Sequence, residues 1–215
     1  MNTAILRLMV GFKRFKEKYF QANDLDISLY SRLASTGQTP KTLFIGCSDS
    51  RVDPAILTSS APGDLFVIRN VANLVPPCEH STEGVRGTSS AIEFAVMNLK
   101  VENILILGHR QCGGIRALMS NKPTESSFIG QWMNVAAEAR IEVLKQHPHG
   151  DEDTLCRAAE MESIKVSMKN LMTFPFVREA VEAKKLNIVG LYFDLERGEL
   201  WQYDEASKIF KPLEI

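Results

Sequence analysis

Apolar and polar positions alternate along this chain in two distinct periods. Ile5, Leu8, Phe12, Phe15 and Tyr19 recur at spacings of three and four between lysines and arginines, which predicts an amphipathic helix over residues 4–20. Such a stripe needs a surface to cover, its own domain or a partner subunit, with a basic membrane-surface helix as the alternative. From Lys41 the pattern changes to short apolar runs, each ending on Gly, Asn or Asp and followed by a helical period. Thr42–Ile45 ends at Gly46-Cys47, Leu65–Ile68 at Arg69-Asn70, Asn103–Leu107 at Gly108-His109, and Ile188–Phe193 at Asp194. Each run predicts a buried strand of a parallel sheet built from βα units.

Helices are expected between the strands. Thr88 or Ser89 can cap one whose face is Ile92, Ala95, Val96 and Leu99, and Gly113-Gly114 opens another. Phe128, Trp132, Val135, Ala136, Ala139 and Val143 share one face, and Leu155, Ala158, Met161, Ile164, Met168 and Leu171 define the next. Pro175 suits the first turn of a third. Glu196-Arg-Gly198 reads as a turn into an edge strand at Leu200–Tyr203. The expected fold is α/β: a mostly parallel central sheet with an antiparallel edge strand, flanked by helices, plus the N-terminal amphipathic helix. Residues 1–215 read as one domain, with a helical arm at 1–35 and an α/β core at 36–215.

Composition narrows the function. With 215 residues, 45% of them hydrophobic, the chain can bury a sizeable core. Lys+Arg 25 against Asp+Glu 26 leave no global positive field for nucleic acid or anionic lipid, so a small molecule recognised by a local site is the expected partner. The opening MNTAILRLMVGFKRFKEKYF has neither the continuous apolar run nor the small-residue cleavage site of an export signal, and no later window is apolar enough to span a membrane. A soluble, cytoplasmic protein is expected. Four cysteines, at 47, 78, 112 and 156, are too sparse for a disulfide framework, so those that matter are metal ligands or nucleophiles.

Reactive residues gather at two strand ends, Gly46-Cys47-Ser48-Asp49-Ser50-Arg51 and Gly108-His109-Arg110-Gln111-Cys112-Gly113-Gly114. In an open α/β sheet, ligands bind in the crevice beyond the carboxyl ends of the strands, so the two motifs can share one site. Cys47, His109 and Cys112 offer two thiolates and an imidazole; three such ligands with a fourth position open make a catalytic zinc arrangement. Asp49 and Arg51 alternate with Cys47 along an extended segment, and an arginine-held carboxylate beside the metal could orient a water there. Taken singly, a strand-end Cys or His is more often just packed, and an Asp-x-Arg pair an ordinary ion pair. A phosphatase-like loop would want its arginine further from the cysteine, and no phosphate-binding glycine loop is present. Cys78 and Cys156 have no adjacent ligand and read as bystanders.

Three motifs in order, Cys-Ser-Asp-Ser-Arg at 47–51, Gly-Asp-Leu-Phe-Val-Ile-Arg-Asn-Val-Ala-Asn at 63–73 and Gly-His-x-x-Cys-Gly-Gly at 108–114, resemble the β-class carbonic anhydrases over roughly residues 35–205. The resemblance implies a zinc enzyme, one Zn2+ per subunit, that interconverts carbon dioxide and bicarbonate by attack of zinc-bound hydroxide. Its ligands would be Cys47, His109 and Cys112, with an Asp49–Arg51 dyad. Gln38 and the Gly113 N–H match substrate hydrogen-bond donors, Phe66 and Val71 match apolar wall positions, and Phe94 stands where plant enzymes carry tyrosine. The positions of a non-catalytic bicarbonate pocket found in one subgroup are here Phe44, Arg69 and Phe193; only the arginine is kept, which implies Asp49 off the metal at neutral pH. No histidine stands out as proton shuttle: His80, His147 and His149 read as solvated. The resemblance further implies a homodimer or a multiple of dimers, the amphipathic helix lying over a neighbouring subunit. A carbonyl sulfide or carbon disulfide hydrolase using the same zinc site is one alternative. A zinc-dependent thiol switch through Cys47 and Cys112 is the other, although it would have no use for Asp49, Arg51 or Gln38.

Overall fold

The computed structural model describes residues 2–20, 28–78, 86–120 and 127–214. His80 lies outside them. The chain divides into two compact units, Met1–Thr39 and Pro40–Ile215.

The first unit holds α1 (Thr3–Phe20) and α2 (Leu29–Thr36), the latter capped by the Ser28 hydroxyl on the Ser31 N–H. The stripe of α1 is only partly covered. Phe15 packs against Tyr19, Phe20 and Tyr30, whereas Ile5, Leu8 and Phe12 remain exposed.

The second unit is a six-stranded sheet in the order β2-β1-β3-β4-β5-β6. The strands are β1 (Thr42–Cys47), β2 (Leu65–Asn70), β3 (Asn103–His109), β4 (Asn187–Asp194), β5 (Glu199–Asp204) and β6 (Ile209–Pro212). The first four pair in parallel, and β5 and β6 close the edge as an antiparallel hairpin extension. Each predicted strand is present, and β6 is an addition: Ile209–Pro212 is too short and too exposed to carry an alternating signal.

The helices are α3 (Pro54–Thr58), α4 (Gly87–Glu93), α5 (Gly113–Met119), α6 (Phe128–Met133), α7 (Ala137–Gln146), α8 (Glu152–Leu171) and α9 (Pro175–Glu182). The longest, α8, starts where the Asp151 carboxylate accepts the Thr154 N–H, with Glu152 and Asp153 in its first turn. It packs on β3 and β4, and two glycines permit the close approach. A Cβ on Gly108 would stand 2.7 Å from Ile164 Cδ1, and one on Gly190 would stand 2.7 Å from Met168 Sδ. Leu43, Ile45, Ile104, Ile106, Ile164 and Leu171 fill that layer with negligible exposure.

Three elements depart from the sequence pattern. The single helix expected over 128–143 is α6 and α7 joined by a tighter turn at Asn134–Ala136, and Phe128 is 96% exposed rather than on the buried face. The helix begun at Gly87 has Arg86 in its N-cap position and Thr88 and Ser89 already inside its first turn, and it widens into an i→i+5 turn at Phe94–Asn98. Finally, α8 buries a wider arc than the apolar stripe, because it packs on the sheet and also against α5 and α7. Ile164, Met168 and Leu171 of the stripe are buried, and Leu155, Ala158 and Met161 are half-buried; Cys156, Ala159, Glu160, Ser163 and Ser167 are buried beside them. No helix among the described residues is long and apolar enough to cross a membrane.

Replacing fully buried Ile106 by alanine is expected to lower the unfolding free energy in a urea titration by about 2–5 kcal/mol. In the terminal hairpin, Lys211 and the Ser207 and Ala206 N–H groups hold the Asp204 carboxyl down at about 2. A depressed carboxylate stabilises the fold above its unfolded value and loses that effect as pH falls through the folded one. The melting-temperature gap between wild type and Asp204→Asn should therefore narrow as pH drops from about 5 towards about 2.

Candidate metal centre

β1 and β3 are parallel neighbours with Gly46 opposite Leu107, so both release the chain at the same end of the sheet. Cys47 is the last residue of β1 and His109 the last of β3; Cys112 follows as the N-cap of α5. The turn between them depends on Gln111 at φ 59°, a left-handed conformation costing a non-glycine residue about 1–2 kcal/mol.

The ligand atoms of Cys47, His109 and Cys112 all lie within 4.8 Å of one another, and the three residues are buried. The two Sγ atoms are 4.0 Å apart. His109 Nδ1 is 2.9 Å from the Arg110 carbonyl and so carries its proton, leaving Nε2 as an acceptor. That Nε2 is buried and has no hydrogen-bond partner. An orphaned imidazole nitrogen beside two thiols is costly without a cation and fits a tetrahedral metal with three protein ligands. The protonation pattern agrees. A hydrogen bond from Cys112 pulls the Cys47 thiol down to about 4 against the effect of burial, and Cys112, left with the shared proton, is pushed up. A cation between the sulfurs would favour both thiolates.

Asp49 stands at the edge of this cluster, with Oδ2 4.0 Å from His109 Nε2. Arg51 engages it in a two-pronged pair, Nε to Oδ1 at 2.9 Å and Nη2 to Oδ2 at 2.7 Å, and the Arg51 N–H adds a third bond to Oδ1 at 2.9 Å. The guanidinium holds the Asp49 carboxyl well below the usual carboxylate range, against a smaller opposing effect of burial. Arg69 fastens the loop carrying both: Nε donates to the Cys47 carbonyl at 3.0 Å, Nη2 to the Asp49 carbonyl at 2.7 Å, and Nη1 pairs with Asp53 at 3.1 Å. Phe44 and Phe193, the other two positions of the subgroup pocket, pack with Leu107, Leu191 and Leu200.

The remaining expected residues are less closely gathered. Gly113 opens α5 with free space where a Cβ would stand. Val71 is partly exposed, with Cγ1 where a Cβ on Gly114 would be only 2.7 Å away. Phe66 and Phe94 touch, ring centroids 5.8 Å apart. Gln38 is exposed and belongs to the first unit, Met1–Thr39. Cys78 is half-buried, Cys156 is buried, and both thiols are free. His147 ends α7, and His149 is exposed.

Sequence reasoning missed a carboxylate behind the site. Glu160, 2% exposed, accepts the Cys112 N–H at 3.1 Å and the Tyr192 hydroxyl at 2.9 Å, with Arg110 Nη1 3.9 Å away. Burial raises its carboxyl above the ordinary value; the Tyr192 and Cys112 bonds and Arg110 oppose that. A signal existed. Glu160 lies in the i, i+4 row Cys156, Glu160, Ile164, and a charge on the buried row of a helix usually has a polar partner.

Comparison with known proteins agrees with this geometry. The sequence profile described as "Carbonic anhydrase" matches residues 42–200. The chain is 37% identical over 207 residues to beta carbonic anhydrase 3 of Arabidopsis thaliana, covering 94% of this chain and 78% of that protein. Among solved structures, the β-carbonic anhydrase CcaA superimposes with a TM-score of 0.88 at 32% identity, covering 100% of this chain and 94% of that one. One of two tetrameric β-carbonic anhydrases from Sordaria macrospora gives a TM-score of 0.74 at 28% identity, with 93% of each chain covered.

Zinc titration against a chromophoric chelator is expected to find about one ion per chain in the wild type. Cys47→Ser and His109→Ala should abolish tight binding, and Cys156→Ser should leave it intact.

Proposed function

The chain belongs to the carbonic anhydrase family, in its β class, and from that premise we propose that it is a zinc enzyme interconverting carbon dioxide and bicarbonate. The observation that carries the reading is the buried Nε2 of His109, with no hydrogen-bond partner, beside two thiols and with an arginine-held carboxylate 4.0 Å away. Zinc held by Cys47, His109 and Cys112 would supply a Lewis acid able to bring the pKa of a water to about 7.

The protein's own groups would then divide the work. Asp49, kept ionised by Arg51, is an acceptor at all working pH values and orients the attacking water through its hydrogen. Arg51, which also donates to the Gln111 carbonyl at 3.1 Å, sets the direction of that carboxylate. The Gly113 N–H and the Gln38 amide are the donors assigned to substrate oxygen. Phe66 and Val71 are assigned to an apolar wall that favours a neutral, linear substrate over water, with Phe94 as a further substrate-side residue. We assign residues 36–215 to the catalytic core and 1–35 to an arm.

A second copy of the chain is the assigned cover for Ile5, Leu8 and Phe12, giving a dimer or a multiple of dimers; the Sordaria macrospora relatives are described as tetrameric. A reducing cytoplasm suits two buried thiol ligands that must stay unoxidised.

Stopped-flow hydration of carbon dioxide by zinc-loaded protein tests the assignment. Turnover is expected in the wild type, with a fall of about 100-fold or more in Asp49→Asn at unchanged zinc content. A fully loaded wild type that turns over carbonyl sulfide but not carbon dioxide would overturn it.

A further inference from the structure

The peptide unit joining Gln111 to Cys112 is gripped at both polar ends. Its carbonyl, Gln111 O, accepts from Arg51 Nη2 at 3.1 Å, and its N–H, on Cys112, donates to Glu160 Oε1 at 3.1 Å. The two partners come from opposite directions: Arg51 belongs to the loop after β1, and Glu160 to the interior of α8. Glu160 is itself anchored, its other oxygen accepting the Tyr192 hydroxyl at 2.9 Å and facing Arg110 Nη1 at 3.9 Å. Arg110 is held in turn by Asp153 and lies 3.6 Å from Glu196, whose other oxygen takes the Gln111 amide.

An amide is planar, so a rotation that moves its N–H moves its carbonyl by the same angle. This particular amide is placed by a left-handed residue, Gln111 at φ 59°. Such a conformation persists where surrounding groups over-determine it. We propose that Glu160 is a positioning residue of the metal centre: by fixing the Gln111–Cys112 peptide plane it sets both the direction of the Cys112 thiolate towards the metal and the seat of Arg51 behind Asp49. A buried carboxylate does this better than solvent could, because no water competes for the Cys112 N–H and the acceptor cannot drift from a side chain locked by Tyr192. The Cys112 ligand and the Asp49–Arg51 dyad, far apart in the chain, thereby respond to one peptide.

The proposal rests on the metal reading of the same site, and the experiment separates the two. Zinc affinity by chelator competition and the visible spectrum of the cobalt-substituted protein are measured on wild type, Glu160→Leu, Glu160→Gln and Tyr192→Phe. Glu160→Leu is expected to weaken zinc binding by about 10–100-fold and to shift the cobalt bands. Glu160→Gln keeps a carbonyl oxygen for the Cys112 N–H and should recover most of the affinity and the wild-type spectrum. If Glu160→Leu does not fold, Tyr192→Phe carries the test, with a smaller loss of affinity and a shifted spectrum expected. Wild-type affinity and spectrum in Glu160→Leu, or in Tyr192→Phe where the leucine variant does not fold, would overturn the proposal while leaving the metal site standing. So would a glutamine variant as impaired as the leucine one, because the effect would then come from charge rather than from the hydrogen bond. A wild type that binds no zinc would overturn the metal reading itself, and this proposal with it.

Discussion

The in-register parallel pairing of β1 with β3 is the constraint on which the site depends. Once Gly46 stands opposite Leu107, Cys47 comes level with Gly108, and His109 leaves the sheet one residue further out at the same end. Everything further out is an adjustment made from that edge. The left-handed Gln111 brings Cys112 back to within 4.0 Å of Cys47, and the loop after Cys47 curls so that Asp49 and Arg51 meet beside the cluster. A slip of either strand would carry Cys47 away from His109 along the sheet edge, so the pairing that sets register also sets the donor geometry.

Buried polar side chains hold that arrangement from behind. Helix α8 packs Ile164 and Leu171 into the main core, yet the same buried arc carries Glu160, Ser167 and Asn170. Ser167 accepts the Val75 N–H, Asn170 donates to the Val75 carbonyl, and Glu160 accepts the Cys112 N–H. Each satisfies a backbone group in an irregular segment that no strand or helix could pair, and an unpaired buried group would cost about 1–3 kcal/mol. Arg69 serves the loop after β1 in the same way through the carbonyls of Cys47 and Asp49. The irregular backbone of the site is thus tied down by side chains borne on regular elements, as a preorganised centre requires.

The charge arrangement follows from this rigidity. Two thiols at 4.0 Å, with the shared proton left on Cys112, form an anionic pocket beside the His109 imidazole. Asp49 adds a second negative group at the rim, but Arg51 neutralises it locally. What remains is one concentrated demand for a cation, at the point where three donor atoms converge.

Much of this was legible in the linear order of residues. The four parallel strands, the chemistry clustered at their ends and the amphipathic character of α1 follow from short-range periodicity, which depends on neighbours a few positions apart. So does the family, because the motifs around Cys47 and His109 are contiguous. The full width of the arc that α8 buries was not legible, since it is set by what packs around the helix, and a stripe of apolar residues records only the part that lies on the apolar core. For the same reason the partners of Glu160 were not legible, and Arg69 read as the remnant of a pocket rather than as a clasp on the loop. The sequence by itself determined which donor atoms the protein owns and which strands deliver them. Only the tertiary structure decided how those atoms are held, because the bonds that fix the Gln111–Cys112 peptide and the loop after β1 join residues 22 to 60 positions apart, and no local pattern encodes such a distance.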